Sequence, residues 1–165
     1  MGTSARPRKK YRPRPVLRDP LGYVMDSVTY LNTNNFPLVD LKIKNSAAMY
    51  ALTHGTAKKH DIDKLIAMCN VTEALMDMGN GKEYHAIFMD GKCAILAIVD
   101  RAGKHGRFTP TGPEISMLNT LMELHDAQLN VITVKDMEQA IRTVQTRIKH
   151  RHKVVSLPKL PKELV

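Results

Sequence analysis

The chain has 165 residues, 43% of them hydrophobic, and its 25 Lys and Arg against 16 Asp and Glu give a formal net charge of +9. That is about one domain's length, enough to bury roughly 68–70% of the unfolded surface, and too apolar for a disordered body. No apolar run approaches the ~18 residues of a membrane span, and the basic start lacks the apolar stretch of a secretory signal.

Residues 1–18 alternate Pro7, Pro13 and Pro15 with basic residues around Tyr11 and contain no acid. Proline fixes φ and removes donors, and like charges repel, so this arm is expected to be extended and mobile. Asp19-Pro20 reads as a helix cap and first turn. Leu21, Val24, Met25, Val28 and Leu31 follow as one apolar stripe, closed by the stretch Asn32–Pro37. A second helix is expected from about Pro37 to His54, with Leu38, Leu41, Ala48 and Leu52 inward and Gly55 as its stop. A third, near 59–78, carries Ile62, Leu65, Ile66, Cys69, Leu75 and Met76 and ends at Gly79-Asn80-Gly81.

Residues 83–101 fit two patterns. Tyr84, Ile87, Phe88, Ala94, Ile95, Ile98 and Val99 make a helical stripe, whereas Asp90-Gly91 between apolar runs is a turn signature for a hairpin over 84–99. Ala94, Ala97 and Ala102 are poor strand residues, which favours the helix. Gly103-Lys104-His105-Gly106-Arg107 reads as a surface loop, without the Gly-x4-Gly-Lys-Ser/Thr spacing of a phosphate loop. Thr111-Gly112-Pro113-Glu114 is a capping box, followed by Ile115, Leu118, Met122, His125 and Leu129 at helical spacing. Thr133-Val134-Lys135-Asp136 opens a last helix with Met137, Ala140, Ile141, Val144 and Ile148 as its buried face, before a tail marked by Pro158 and Pro161. The expected fold is all-α: a single compact bundle of five or six helices over 19–153, a basic arm over 1–18 and a flexible tail over 154–165.

Ten methionines, no tryptophan and only eight Phe and Tyr suit a helical core. Cys69 and Cys93 both read as small core residues in a reduced, cytoplasmic protein. No metal or other cofactor is expected. Glu83 with His85, and Glu123 with His125, are two apart and point to different helix faces. His54 and His60 flank a glycine turn, and His150 and His152 lie in a basic run. His125, on the apolar stripe, reads as a core histidine bonded to a carbonyl; Asp126 beside it diverges by about 100°. No nucleophile, base and oxyanion stabiliser assemble, so a non-enzymatic protein is expected.

Charge is segregated. Residues 1–18 hold Arg6, Arg8, Lys9, Lys10, Arg12, Arg14 and Arg18 with no acid; residues 142–165 hold seven bases against Glu163; the middle is net negative. Guanidinium groups pair bidentately with phosphate, and Tyr11 offers a ring to stack on an unpaired base. The same composition also fits a solvated tail. Arg142, Lys149 and Lys153 share one helical face and Arg147 and Arg151 another, an arrangement that also complements the helix dipole. No zinc-finger spacing, RNA-binding aromatic motif or recognition helix accompanies these cations.

The arm Lys9-Lys10-Tyr11-Arg12-Pro13-Arg14-Pro15-Val16, the following Asp19-Pro20, and the block Thr111–Glu114 with Glu123-Leu124-His125-Asp126-Ala127-Gln128-Leu129 resemble small uncharacterised proteins of phages and prophages of Gram-negative bacteria. The resemblance implies a virus-associated protein in the bacterial cytoplasm and carries over no functional residue. The leading expectation is nucleic-acid binding through the arms, DNA and RNA being equally open. The other is a module that inhibits or recruits a host protein. Neither involves a membrane, and oligomeric state is open.

Overall fold

Apolar residues three and four apart place five helices where local spacing demands them: α1 Phe36–Thr53, α2 Lys59–Asp77, α3 His85–His105, α4 Gly112–Val131 and α5 Val134–His150. The computed structural model describes residues 21, 25, 27–31 and 36–155. Helix ends follow side-chain chemistry. The Thr111 amide donates to Glu114 Oε2 at 2.7 Å, and the Glu114 amide donates back to Thr111 Oγ1 at 3.5 Å. Thr133 and Asp136 repeat the device at α5, with amide bonds of 3.0 and 3.2 Å. Gly55 (φ 69°) and Gly106 (φ 70°) end α1 and α3 in the left-handed region that glycine enters without strain.

Among the described residues the result is an all-α bundle of these five helices, with no strand. Helix α2 packs against all four others. Its Ile62, Leu65 and Cys69 meet Leu52 of α1, Phe88, Ile95 and Ile98 of α3, and Leu118 and Leu121 of α4 in the larger core. Its Ala74 and Leu75 join Leu38, Leu129, Ile132, Ala140 and Val144 in a second, smaller core. Residues 84–99 are not a hairpin: Tyr84 closes a short 3-10 turn, α3 runs from His85 through the rest, and Asp90-Gly91 serves a helix crossing. A Cβ built on Gly91 would stand 2.7 Å from Leu121 Cβ and Cδ2, so α3 and α4 approach where only hydrogen fits.

Four sequence expectations change. Leu21, Met25, Ser27 and Val28 are helical, but Leu21 (73% exposed), Met25 and Val28 face solvent. Of the described residues of this stripe only Leu31 packs against the core; Asp19, Pro20 and Val24 lie outside the described residues. Ile141 and Ile148 are exposed, since α5 rests on α2 through Ala140 and Val144. Gly103, Lys104 and His105 form the last turn of α3 rather than a loop. Cys69 is fully buried, and burial pushes its thiol up to about 12, but Cys93 is exposed on the outer face of α3. Past α5 the chain is still anchored, because Asn70 Nδ2 donates to the Val155 carbonyl at 2.9 Å and the Val155 amide donates to Asn70 Oδ1 at 2.8 Å.

Candidate nucleic-acid interface

The arm cations Arg6, Arg8, Lys9, Lys10, Arg12, Arg14 and Arg18, with Tyr11, lie outside the described residues, as does the tail from 156 onward. The second basic cluster is described, and it divides. Helix α5 ends at His150, and Arg151 (φ 51°) and Lys153 (φ 47°) turn the chain back in left-handed conformations. Lys153 therefore leaves the face of Arg142 and Lys149, and Arg151 leaves the row of Arg147. The reversal brings Lys153 Nζ to 2.7 and 2.8 Å from the two Asp77 oxygens, while Arg147 Nη2 donates to Asp77 Oδ2 from the helix.

Asp77 closes α2, so one carboxylate ties the end of that helix to the end of α5. Burial raises its pKa, and hydrogen bonds from Lys153 and Arg147 more than reverse this, leaving it below the ordinary carboxylate value. Arg147 is largely enclosed, its side chain 14% exposed. Asp77→Ala is expected to cost about 1–2 kcal/mol, between the exposed-pair and buried-pair limits. Urea denaturation at neutral pH checks this; an unchanged midpoint would mean that the turn closes without the carboxylate.

Two of the predicted cations are thus held by one carboxylate within the protein, which cancels one of their two charges. Arg142 pairs with Glu138 at 3.1 Å on the open surface, where such pairs contribute little and exchange readily with another anion. Lys149 and Arg151 are exposed and pair with no acid among the described residues. His150 and His152 flank them, also exposed. Arg142, Lys149 and Arg151 form the available basic surface at this end.

The other polar candidates are dispersed. His54 stacks on Tyr50 (ring centroids 3.8 Å apart), His60 Nε2 lies 3.1 Å from Asp61, and His85 sits tilted against Phe88. Among the described residues, no three His, Cys, Asp or Glu side chains form a group able to hold a metal ion. Arg101 grips Glu114 with two bonds of 2.6 and 2.9 Å, which with the Thr111 amide hold that carboxyl at about 2 and staple the end of α3 to the start of α4. Lys92 Nζ pairs with the buried Glu73 at 3.1 Å and stands 5.4 Å from the Phe88 ring centroid.

His125 is a core residue, 1% exposed, but its partner is a hydroxyl rather than a carbonyl. Nδ1 lies 3.0 Å from Thr72 Oγ1, whose own proton goes to the Met68 carbonyl at 3.0 Å. The ring must then donate from Nδ1, leaving Nε2 as an acceptor. Burial, helped by Lys42, pushes this histidine down to about 4, so it is neutral at physiological pH.

Between α2 and α5 runs an apolar groove of about 440 Å³, lined chiefly by Ile66, Val71, Ile141, Val144, Ile148 and Val155. Sequence spacing assigned Ile141 and Ile148 to the core, so it identified their apolar face but not its exposure. No helix among the described residues is long and apolar enough to cross a membrane. Fold and surface define an all-α helical bundle with a basic end. No protein-family model matches the chain, and no curated protein or solved structure matches it either.

Proposed function

We propose that this protein is a non-enzymatic nucleic-acid-binding protein, acting in a phage regulatory or host-takeover setting in the bacterial cytoplasm. The observation that carries the reading is charge segregation: seven bases and no acid in residues 1–18, seven bases against one acid in 142–165, and a net negative body between them. A negative body repels the polyanion except at the ends, so binding is oriented as well as attracted. Lys149 and Arg151, exposed and unneutralised by any described acid, supply the second contact, with Arg142 beside them. Arg147 and Lys153 contribute less, because binding phosphate would require them to leave Asp77.

Fluorescence anisotropy with labelled random-sequence duplex DNA and single-stranded RNA tests the reading. Saturable binding is expected, strongly weakened when Arg8, Lys9, Lys10 and Arg12 are replaced by Ala. Absence of binding to either polymer at low salt would reject it.

A second reading rests on the groove between α2 and α5. An exposed apolar surface of this kind marks a protein contact more often than a nucleic-acid contact. In that reading the protein inhibits or recruits a host protein. Pulldown from host lysate separates the two, since nuclease treatment removes partners bridged by nucleic acid and spares a protein bound in the groove.

A further inference from the structure

Past α5 the chain enters the groove between α2 and α5 with a definite direction. Lys153 Nζ stands 2.7 and 2.8 Å from the Asp77 oxygens, and two residues later Val155 is clamped by its pair of bonds to Asn70. Asp77 is the last residue of α2 and Asn70 lies about two turns before it, so the chain runs back along α2 towards the start of that helix. Val155 is 5% exposed and itself lines the groove, whose wall in that direction continues through Ile66 to Asp63. On the α5 side, Ile141 and Ile148 stay 40% and 56% exposed. An apolar surface thus lies open directly ahead of the last described residue.

We propose that Ser156-Leu157-Pro158-Lys159, which lie outside the described residues, continue down this groove antiparallel to α2, with Leu157 covering Ile141 and Ile148 and Lys159 meeting Asp63. An extended chain puts alternate side chains on one face, so Leu157 and Lys159 follow Val155 inward while Ser156 and Pro158 face water. Pro158 supports this path, since the residue before a proline is held to extended φ and ψ. The distances agree. An extended chain advances about 3.3 Å per residue, so Leu157 reaches about 7 Å beyond Val155 and Lys159 about 13 Å. Along α2, Ile66 lies about 6 Å and Asp63 about 10 Å back from Asn70, and the lysine stem spans the remaining difference. The Asp63 carboxylate is 48% exposed and pairs with Lys59 at 3.2 Å on the open surface, so a second cation can share it. This placement does not depend on nucleic-acid binding by the basic ends. A host protein seated in the groove would have to displace the segment.

Methyl NMR of the full chain, with Ile and Leu methyls labelled, tests the placement. Cross-relaxation from the Leu157 methyls to the δ methyls of Ile141 and Ile148 is expected, and it should persist on dilution. Leu157→Ser should remove those contacts and lower the thermal midpoint by about 4 °C, the effect of uncovering a half-buried leucine. Leu164→Ser, beyond the far end of the groove, should leave the midpoint unchanged. Absence of the contacts in the folded parent would leave the groove to a partner protein and overturn the inference. Contacts found only between labelled and unlabelled chains would seat a second copy there, and overturn it as well. So would a Leu157→Ser protein that melts like the parent, or a Leu164→Ser protein that melts as low as Leu157→Ser.

Discussion

Gly91→Leu is expected to destabilise the bundle severely, by about 4 kcal/mol or more. The first atom added already meets Leu121 Cβ and Cδ2 at 2.7 Å, and Leu121 is fully buried, so neither helix can yield without opening the larger core. Gly91→Ala isolates that first atom. Overpacking costs about 1–3 kcal/mol, and alanine's better helix propensity returns about 1 kcal/mol. The net loss is about 1 kcal/mol, or about 4 °C in the thermal midpoint at this size. Leucine adds three further carbons in the same space, and the loss rises to about 4 kcal/mol or more, much of a small domain's total stability. Circular dichroism melts of the two variants check this. A Gly91→Leu protein that melts like the parent would show that α3 and α4 do not cross here.

Acid is expected to unfold the protein earlier than its carboxylates alone require, because of His125. Its pKa is about 4 when folded and 6.5 as a free side chain, so the unfolded chain binds a proton that the folded one refuses. The stabilisation is complete above pH 6.5 and is lost as pH falls through about 4. Over that window it amounts to about 3 kcal/mol. Glu114 adds a second window. Its folded value of about 2 lies below the ordinary 4.5, so its contribution holds above 4.5 and disappears towards pH 2. Urea midpoints at pH 7, 5.5 and 4.5 should fall steadily in the parent protein. They should stay nearly level in His125→Gln until Glu114 and other carboxylates titrate. A parent midpoint that does not move between pH 7 and 4.5 would mean that His125 takes up its proton in the folded bundle.

The all-α architecture, the bounds of α2 and the starts of α4 and α5 were legible because their causes are local: apolar spacing, the Thr111–Glu114 box and the Gly79–Gly81 stop. Asp90-Gly91 misled in part because a glycine required for a turn and one required for a helix crossing look alike until Leu121, thirty residues on, comes into contact. Cys69 and Cys93 both lie among apolar residues in the sequence; rotation around their helices buries one and exposes the other. At the basic end, residue types were readable and availability was not. The pairing of Asp77 with Arg147 and Lys153 depends on contacts seventy and more residues apart and on a left-handed turn after His150 that no glycine announces.

The salt dependence of binding tests nucleic-acid recognition most directly. Each phosphate neutralised on duplex DNA contributes roughly −0.9 to the slope of log affinity against log salt, so the seven arm cations can supply at most about −6. The slope should shrink by several units when Arg8, Lys9, Lys10 and Arg12 become Ala. It should shrink by about one or two units when Lys149 and Arg151 do, and least for Arg147 and Lys153, which share the Asp77 carboxylate. A slope near zero, or one that none of these substitutions changes, would contradict binding through the basic ends.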